Sequence, residues 1–173
     1  IFFLDSLNQI IFFKYILVLF ALFFIINGSN LVDGFNGLLG IHSIMILLIL
    51  SFILRESSYE LIHIKNYLYA LITAIVCFLI LNFPKAKIFL GDSGAYFLGS
   101  QIGCISIIIY NTSEFISPFF ISIILSYLFF EIFFSVFRKL YEKKNPFLPD
   151  GLHMHMIVYK QIKKKINLSN PAT

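Results

Sequence analysis

The sequence contains few charged residues, and this scarcity excludes several classes of protein. Charged side chains make up 13% of the 173 residues and hydrophobic ones 59%, whereas a soluble domain has about 25% charged and about 45–50% apolar residues. A soluble enzyme and a disordered tail are therefore poor interpretations. Tryptophan is absent, and much of the apolar bulk comes from 22 Phe and 9 Tyr, which suit contact with lipid.

Cysteine is also scarce. Cys77 and Cys104 lie inside apolar runs, and neither has a second Cys or a His at metal-ligand spacing. This excludes a disulfide scaffold and a cysteine metal site, and it favours small apolar side chains in helices. The sequence has no basic segment followed by a small-residue cleavage site, so we expect no signal peptide.

Five long apolar runs dominate the chain. A helix that crosses a bilayer core needs about 20 mostly apolar residues, and backbone polar groups in lipid must be paired internally. The runs therefore predict an all-α polytopic integral membrane protein of about five transmembrane helices. The predicted spans are about 11–27, 37–54, 66–83, 94–110 and 117–137.

Charge in the connecting segments predicts the orientation. Segments 28–36, 84–93 and 138–173 fall on one side, and they hold most of the lysines and arginines, from Lys85 to Lys165. By the positive-inside rule this side is cytoplasmic. We expect a transmembrane bundle over 1–137 and a cytoplasmic basic loop or tail over 138–173. Three polar motifs occur on the same side, which predicts one site there.

The first motif is NGSNLVDGFNG, residues 27–37. Asn27, Asn30, Asp33 and Asn36 recur every three residues, a spacing that makes them neighbours on a helix. The glycines between them permit close approach of a helix or a ligand. The alternative is a hydrated turn with Asn and Asp as caps.

The second motif is NFPKAKIFLGDSG, residues 82–94. A helix that begins near Asp92 would present free backbone N–H groups that attract phosphate. A carboxylate there competes with phosphate unless Mg²⁺ bridges the two. Lys85 and Lys87 are candidates for phosphate binding, and the alternative is the ordinary positive-inside signal. Asp92 or Ser93 could also be a simple helix cap.

The third motif is NPFLPDGLHMHM, residues 145–156. Pro149 and Gly151 favour a loop, in which His153 and His155 could share a face. Nearby lysines favour an anionic ligand, although a basic tail against anionic lipid is the alternative. Glu131, inside the fifth run, is a functional candidate because a carboxylate in the bilayer is expensive. We expect it to pair with a cation or an Asn of the first motif.

These motifs resemble those of the polyprenyl-phosphate N-acetylhexosamine-phosphate transferases (glycosyltransferase family 4), integral membrane enzymes. Members show N-x-x-N-x-x-D-G-x-D-G-L, F-P-x-A-K-x-F-x-G-D-x-G-S and P-F-x-P-D-x-x-H-x-H-H, in this order. An acidic residue seven before an Arg is also similar, here Glu131 before Arg138. The matching positions are Asn27, Asn30, Asp33, Gly34, Asn36, Gly37 and Leu38; Phe83, Pro84, Ala86, Lys87, Phe89, Gly91, Asp92 and Gly94; and Pro146, Phe147, Pro149, Asp150, His153 and His155.

The resemblance implies the reaction and the roles of residues. A polyprenyl phosphate attacks the β-phosphorus of a UDP-N-acetylhexosamine and UMP leaves, which initiates O-antigen-like or cell-wall glycan synthesis. The implied cofactor is Mg²⁺, with Mn²⁺ as the alternative. The implied location is the bacterial inner membrane, and no nucleic-acid partner is expected. The implied catalytic residues are Asp33, Asp92, His153 and His155, with Asp92 as the metal ligand, and the implied substrate-binding residues are Asn30, Asn36, Lys87, Phe89 and Asp150, with Phe89 stacked on uracil.

Departures from the family pattern limit this interpretation. Asn36, Ala95 and Met156 replace an Asp, a Ser and a His. Members have about twice as many spans and an adjacent Asp-Asp pair that is absent from this sequence. We therefore expect the C-terminal half of such an enzyme, inactive by itself. A membrane scaffold or transporter and a degenerate paralogue remain the alternatives, and the sequence does not indicate the oligomeric state.

Overall fold

The chain forms a bundle of helices. The computed structural model describes residues 11–54, 61–113, 116–146, 148 and 151–166, and these ranges contain no strand. The helices are α1 (Ile11–Val32), α2 (Leu38–Ile53), α3 (Ile62–Asn82), α4 (Gly91–Thr112), α5 (Pro118–Ile124), α6 (Ser126–Tyr141) and α7 (Met154–Ile166).

The predicted all-α membrane fold is confirmed. Helices α1, α3 and α4 are each long and apolar enough to cross a membrane. Their outward faces carry many exposed Phe, Leu and Ile side chains, as expected where the solvent is lipid. Helix α2 is also apolar but has only 16 residues.

The fifth predicted span, 117–137, is not one straight helix. Helices α5 and α6 meet at Leu125 with a bend of 65°. There the Leu128 N–H donates to the Leu125 carbonyl at 3.1 Å, a tighter turn than an α-helix makes. Helix α6 then runs through the predicted boundary at 137–138 and ends at Tyr141.

The first predicted span ends too early. Helix α1 continues from 27 to Val32, so Asn27 and Asn30 lie in the helix and not in a connecting segment. Two of the polar side chains here bond carbonyl groups of the same helix. The Asn27 Nδ2 donates to the Phe23 carbonyl at 2.8 Å, and the Ser29 Oγ donates to the Ile25 carbonyl at 2.9 Å.

The core lies between α1, α2, α4 and α6. Helix α1 packs most extensively against α4 and next against α6, whereas α2 packs against α3 and α4. Leu39, Leu47, Ile102 and Leu128 are fully buried there. Small residues allow the closest approach. A Cβ added at Gly99 would lie 2.9 Å from the Ile26 Cα, so the backbones of α1 and α4 approach closely at this point.

Candidate functional site

The first motif forms a tight turn between α1 and α2. The Gly34 N–H donates to the Val32 carbonyl at 2.7 Å, and Gly37 at the start of α2 has a φ of 77°. A positive φ is accessible to glycine without the Cβ clash that other residues suffer. The turn therefore reverses the chain within a few residues and places Asp33 at the end of the bundle.

The second motif is bonded to this turn. The buried Asn82, at the end of α3, accepts from the Gly37 N–H at 2.6 Å and donates to the Ile88 carbonyl at 2.8 Å. The Asn36 Nδ2 donates to the Pro84 carbonyl at 3.1 Å. One side chain, Asn82, thus joins the 33–37 turn to the 83–90 loop.

The 83–90 loop leads directly into α4. Gly91 has a φ of 66° and opens the helix, and Asp92 lies exposed in its first turn without a side-chain capping bond. The side chains of Lys87 and Phe89 point away from the protein, and the Phe89 ring is 78% exposed. The loop therefore presents an aromatic ring, a cation and a carboxylate beside free N–H groups of a helix start.

Asp33 lies close enough to Asp92 for the two carboxyl groups to interact electrostatically. Burial, and to a lesser degree the negative charge of Asp92, raise the pKa of Asp33 to about 6. Nearby, the Asn30 Nδ2 donates to the Tyr96 hydroxyl at 3.3 Å. The described residues contain no group of three or more His, Cys, Asp or Glu that could hold a metal. Two carboxylates fit a Mg²⁺ ion that takes its other ligands from water and substrate phosphates.

The third motif is docked against α6. The His155 Nδ1 lies 2.9 Å from the Glu131 Oε1, and the His153 Nδ1 lies 3.1 Å from the Ser135 Oγ. The two imidazole rings are stacked, with centroids 5.8 Å apart. His153 directly precedes α7 and His155 lies in its first turn. Of the two histidines that were predicted to lie in a loop, only His153 does so, yet the two rings lie side by side.

The third motif also touches the first. The Phe35 ring packs edge-on against His155 and Tyr159, with centroids 5.3 and 5.2 Å apart. A Cβ at Gly34 would overlap the His155 Nε2. The site therefore requires glycine at position 34, because any other residue would displace the imidazole.

The three motifs therefore converge at one end of the bundle. Asp150 lies outside the described residues, and the roles of the other residues stay predictions. Glu131 pairs with His155, the first of the two expected kinds of partner if the imidazole is protonated, and within the described residues no Asn of the first motif bonds to it. The structure brings together Asn30, Asp33, Asn36, Asp92, His153 and His155, with Lys87 and Phe89 on the adjoining loop.

Three further side chains help to build the site. Asn82 begins the second motif, but the sequence suggested no role for it or for Ser135. Lys139 is 7% exposed, and its Nζ donates to the carbonyls of Pro146 and Leu148 at 3.1 and 2.7 Å. Lys139 lies beside Arg138, so the sequence suggested only that it contributes to the positive charge at this end of the chain. Asn82 and Lys139 bond backbone atoms and Ser135 bonds the His153 ring, and no local pattern in the sequence distinguishes these three residues.

Fold and site together define an α-helical membrane protein with a polar site at one end of its bundle. A sequence model of glycosyl transferase family 4 matches residues 1–110. This match covers more than half of the chain, and the chain belongs to this family.

Curated relatives carry more specific names. The chain is 35% identical over 149 residues to the undecaprenyl-phosphate alpha-N-acetylglucosaminyl 1-phosphate transferase of Thermotoga maritima, covering 85% of this chain and 44% of that protein. It is 30% identical over 155 residues to the Escherichia coli K12 protein of the same name, covering 86% and 41%.

A second kind of relative matches a shorter stretch. The phospho-N-acetylmuramoyl-pentapeptide-transferase of Leuconostoc mesenteroides is 40% identical over 83 residues, covering 48% of this chain and 25% of that protein. The chain thus spans less than half the length of these curated relatives. No solved structure matches the chain.

Proposed function

We propose that this chain forms the nucleotide- and phosphate-binding end of a transferase that moves N-acetylhexosamine phosphate from a UDP-sugar to a polyprenyl phosphate. The convergence of three sequence-distant polar motifs at one end of an apolar bundle carries this proposal. A water-soluble nucleotide and a lipid phosphate can meet only at a membrane surface, and such a site offers that geometry. We place this site on the cytoplasmic side of a bacterial inner membrane.

In the proposed reaction, an oxygen of the lipid phosphate bonds to the β-phosphorus of the UDP-sugar. The bond from that phosphorus to the bridging oxygen breaks, and UMP leaves with this oxygen. Asp92 would hold Mg²⁺, or Mn²⁺, with Asp33 beside it. Bound there, the ion supplies charge neutralisation for the transferring phosphoryl group and the UMP leaving group.

The other residues bind and orient. Phe89, exposed on its loop, would stack on the uracil ring, and Lys87 would contact a phosphate. Asn30 and Asn36 would line the nucleotide pocket, although the Asn36 amide also holds the Pro84 carbonyl. His153 and His155 would contact the diphosphate or the sugar. Such positioning lowers the barrier by holding the reacting atoms in line.

The experiment is UMP release by the complete gene product that contains this chain, reconstituted with undecaprenyl phosphate and a panel of UDP-sugars. We expect Mg²⁺-dependent release with a UDP-N-acetylhexosamine, loss of release in Asp92→Asn, and no release by the chain alone. The control is Glu142→Gln, a carboxylate change at an exposed position of α6's end.

Two outcomes would contradict the proposal at different levels. Wild-type protein that releases no UMP from any UDP-sugar would refute the transferase function. Release that persists in Asp92→Asn would remove Asp92 from the metal-binding role and leave the function standing.

A further inference from the structure

Glu131 is fully buried in α6, at the centre of a set of hydrogen-bond donors. Its Oε1 accepts from the Tyr127 hydroxyl at 2.9 Å and lies 2.9 Å from the His155 Nδ1. Its Oε2 accepts from the Met154 N–H at 3.1 Å, and the His155 N–H donates to Oε1 at 3.4 Å. Both carboxylate oxygens are therefore used.

This arrangement compensates a large cost. A charged carboxylate inside an apolar bundle is stable only when it is paired and hydrogen-bonded. Here the compensation comes from α7, whose first N–H groups have no partner within their own helix. The Glu131 carboxylate thus binds both the first backbone N–H groups of α7 and the His155 side chain, and so it holds α7 against α6.

The same contact determines the orientation of the His155 ring. A carboxylate accepts hydrogen bonds and cannot donate them, so the facing Nδ1 must carry the proton. The ring is then presented with its Nε2 toward Gly34, beside Asp33. The Nε2 is buried and has no hydrogen-bond partner among the described residues. The His155 side chain is only 7% exposed, so its packing allows little rotation.

We propose that Glu131 is a positioning residue of the site, which holds His155 with Nδ1–H on its carboxylate and the Nε2 aimed at the 33–37 turn. What the Nε2 contacts in a reaction rests on the proposed function, whereas the ring orientation and its proton do not. Glu131 itself would touch no substrate, because the His155 ring and the start of α7 lie between them.

The first test measures the proton on the ring and needs no substrate. Ring nitrogens of the chain labelled with ¹⁵N-histidine are observed by NMR at about pH 8.5, roughly two units above the ordinary histidine pKa. His155→Asn assigns the signal. We expect Nδ1 of His155 to carry a proton in the wild type and this preference to weaken in Glu131→Gln, because a neutral amide is a poorer acceptor than a carboxylate. A bare Nδ1 in the wild type would overturn the proposal.

The second test is a double-mutant cycle on UMP release by the complete gene product. Groups that orient a metal-ligating histidine typically contribute about 10- to 100-fold to activity, and by analogy we expect Glu131→Gln to lower kcat by a similar factor. Because Glu131 acts through His155, the same change in a His155→Asn background should alter kcat by less than about twofold.

A matched control separates positioning from loss of charge. Glu142→Gln makes the same chemical change at the end of the same helix, where the exposed carboxylate binds Arg138 and Lys144, and it should leave kcat unchanged. A wild-type rate in Glu131→Gln, or equal losses in both backgrounds, would refute the positioning role.

The two proposals can fail separately. If the wild type releases no UMP, the proposed function fails, and the NMR measurement still decides the Glu131 proposal. If Glu131→Gln does not fold, the wild-type spectrum decides, supported by Tyr127→Phe, which removes one donor but leaves the carboxylate. That variant should keep the proton on Nδ1, and a proton shifted to Nε2 would count against the proposal.

Discussion

The site end of the bundle and its middle are held together by different interactions. At the site end, side chains bond backbone atoms of other elements, as Asn82 does between α2 and the 83–90 loop. In the middle, hydroxyl groups mostly return to their own helix, as Thr73 does to the Tyr69 carbonyl. An exception is the bond of 2.6 Å from the Tyr67 hydroxyl to the Gln101 side chain.

The middle relies instead on close contact. Gly28 of α1 lies against the backbone of Leu128 in α6, and Gly99 of α4 lies against Ile26 and Ser29 of α1. Burial of apolar surface gives little gain between helices in lipid, so small residues and van der Waals contact must provide the attraction.

The difference has a physical reason. Loops at the site end expose backbone groups that a helix would satisfy internally, and polar side chains must replace those partners. A precise polar site can therefore exist at an end of the bundle because its loops are bonded to rigid helices. The following variants test whether the two regions are independent.

The largest effect is expected at the contact between two motifs. In Gly34→Ala the new Cβ would overlap the His155 Nε2, and the ring must move. A displacement of about 1 Å in a positioned group can reduce rate by about 100-fold. We expect UMP release to fall by about this factor.

The matched control is Gly103→Ala, a buried glycine whose added Cβ would overlap the flexible end of the Leu22 side chain and would lie at ordinary contact distance from Ile25. It should keep wild-type release. In a His155→Asn background the Gly34→Ala effect should shrink, because the shorter side chain leaves room. Full activity of Gly34→Ala alone would show that the His155 ring does not lie where the structure places it.

These features differ in how far the sequence predicts them. Apolar runs predicted α1, α3 and α4, and the alternation of sides predicted that the three motifs meet. The break at Leu125 has no glycine or proline beside it in the sequence, so the usual signal for a kink was absent. The Glu131–His155 pair was unpredictable, since its partners are 24 positions apart and meet only after α7 docks.

The second effect tests the polar link at the site end. Asn82→Ala removes the acceptor of the buried Gly37 N–H and the donor to the Ile88 carbonyl. A buried donor left without a partner costs about 1–3 kcal/mol, and we expect the free energy of unfolding in detergent to fall by that amount. Thr73→Ala, an exposed position on α3, should change it by less than about 0.5 kcal/mol.

An equal response of the two variants would mean that Asn82 contributes no more than a lipid-facing hydroxyl. The polar link would then be incidental, and the comparison between the two regions would fail at its site end. Loss of stability confined to Asn82→Ala, together with weaker UDP-sugar binding, would show that the loop and the turn are held as one unit.

The smallest effect tests the close contact in the middle. In Gly28→Ala the Cβ would overlap the Leu128 carbonyl oxygen, a backbone atom that cannot rotate away. Overpacking costs about 1–3 kcal/mol, and alanine recovers about 0.5–1 kcal/mol over glycine in a helix. The expected net loss is about 1–2 kcal/mol in the unfolding free energy, against no loss in Gly103→Ala, where the Leu22 side chain can turn aside.

Because Gly28 bonds to none of the site loops, affinity for the UDP-sugar should stay unchanged in protein that remains folded. A large loss of affinity without a loss of stability would mean that the packing of α1 on α6 sets the geometry of the site, and that the two regions are coupled through Glu131.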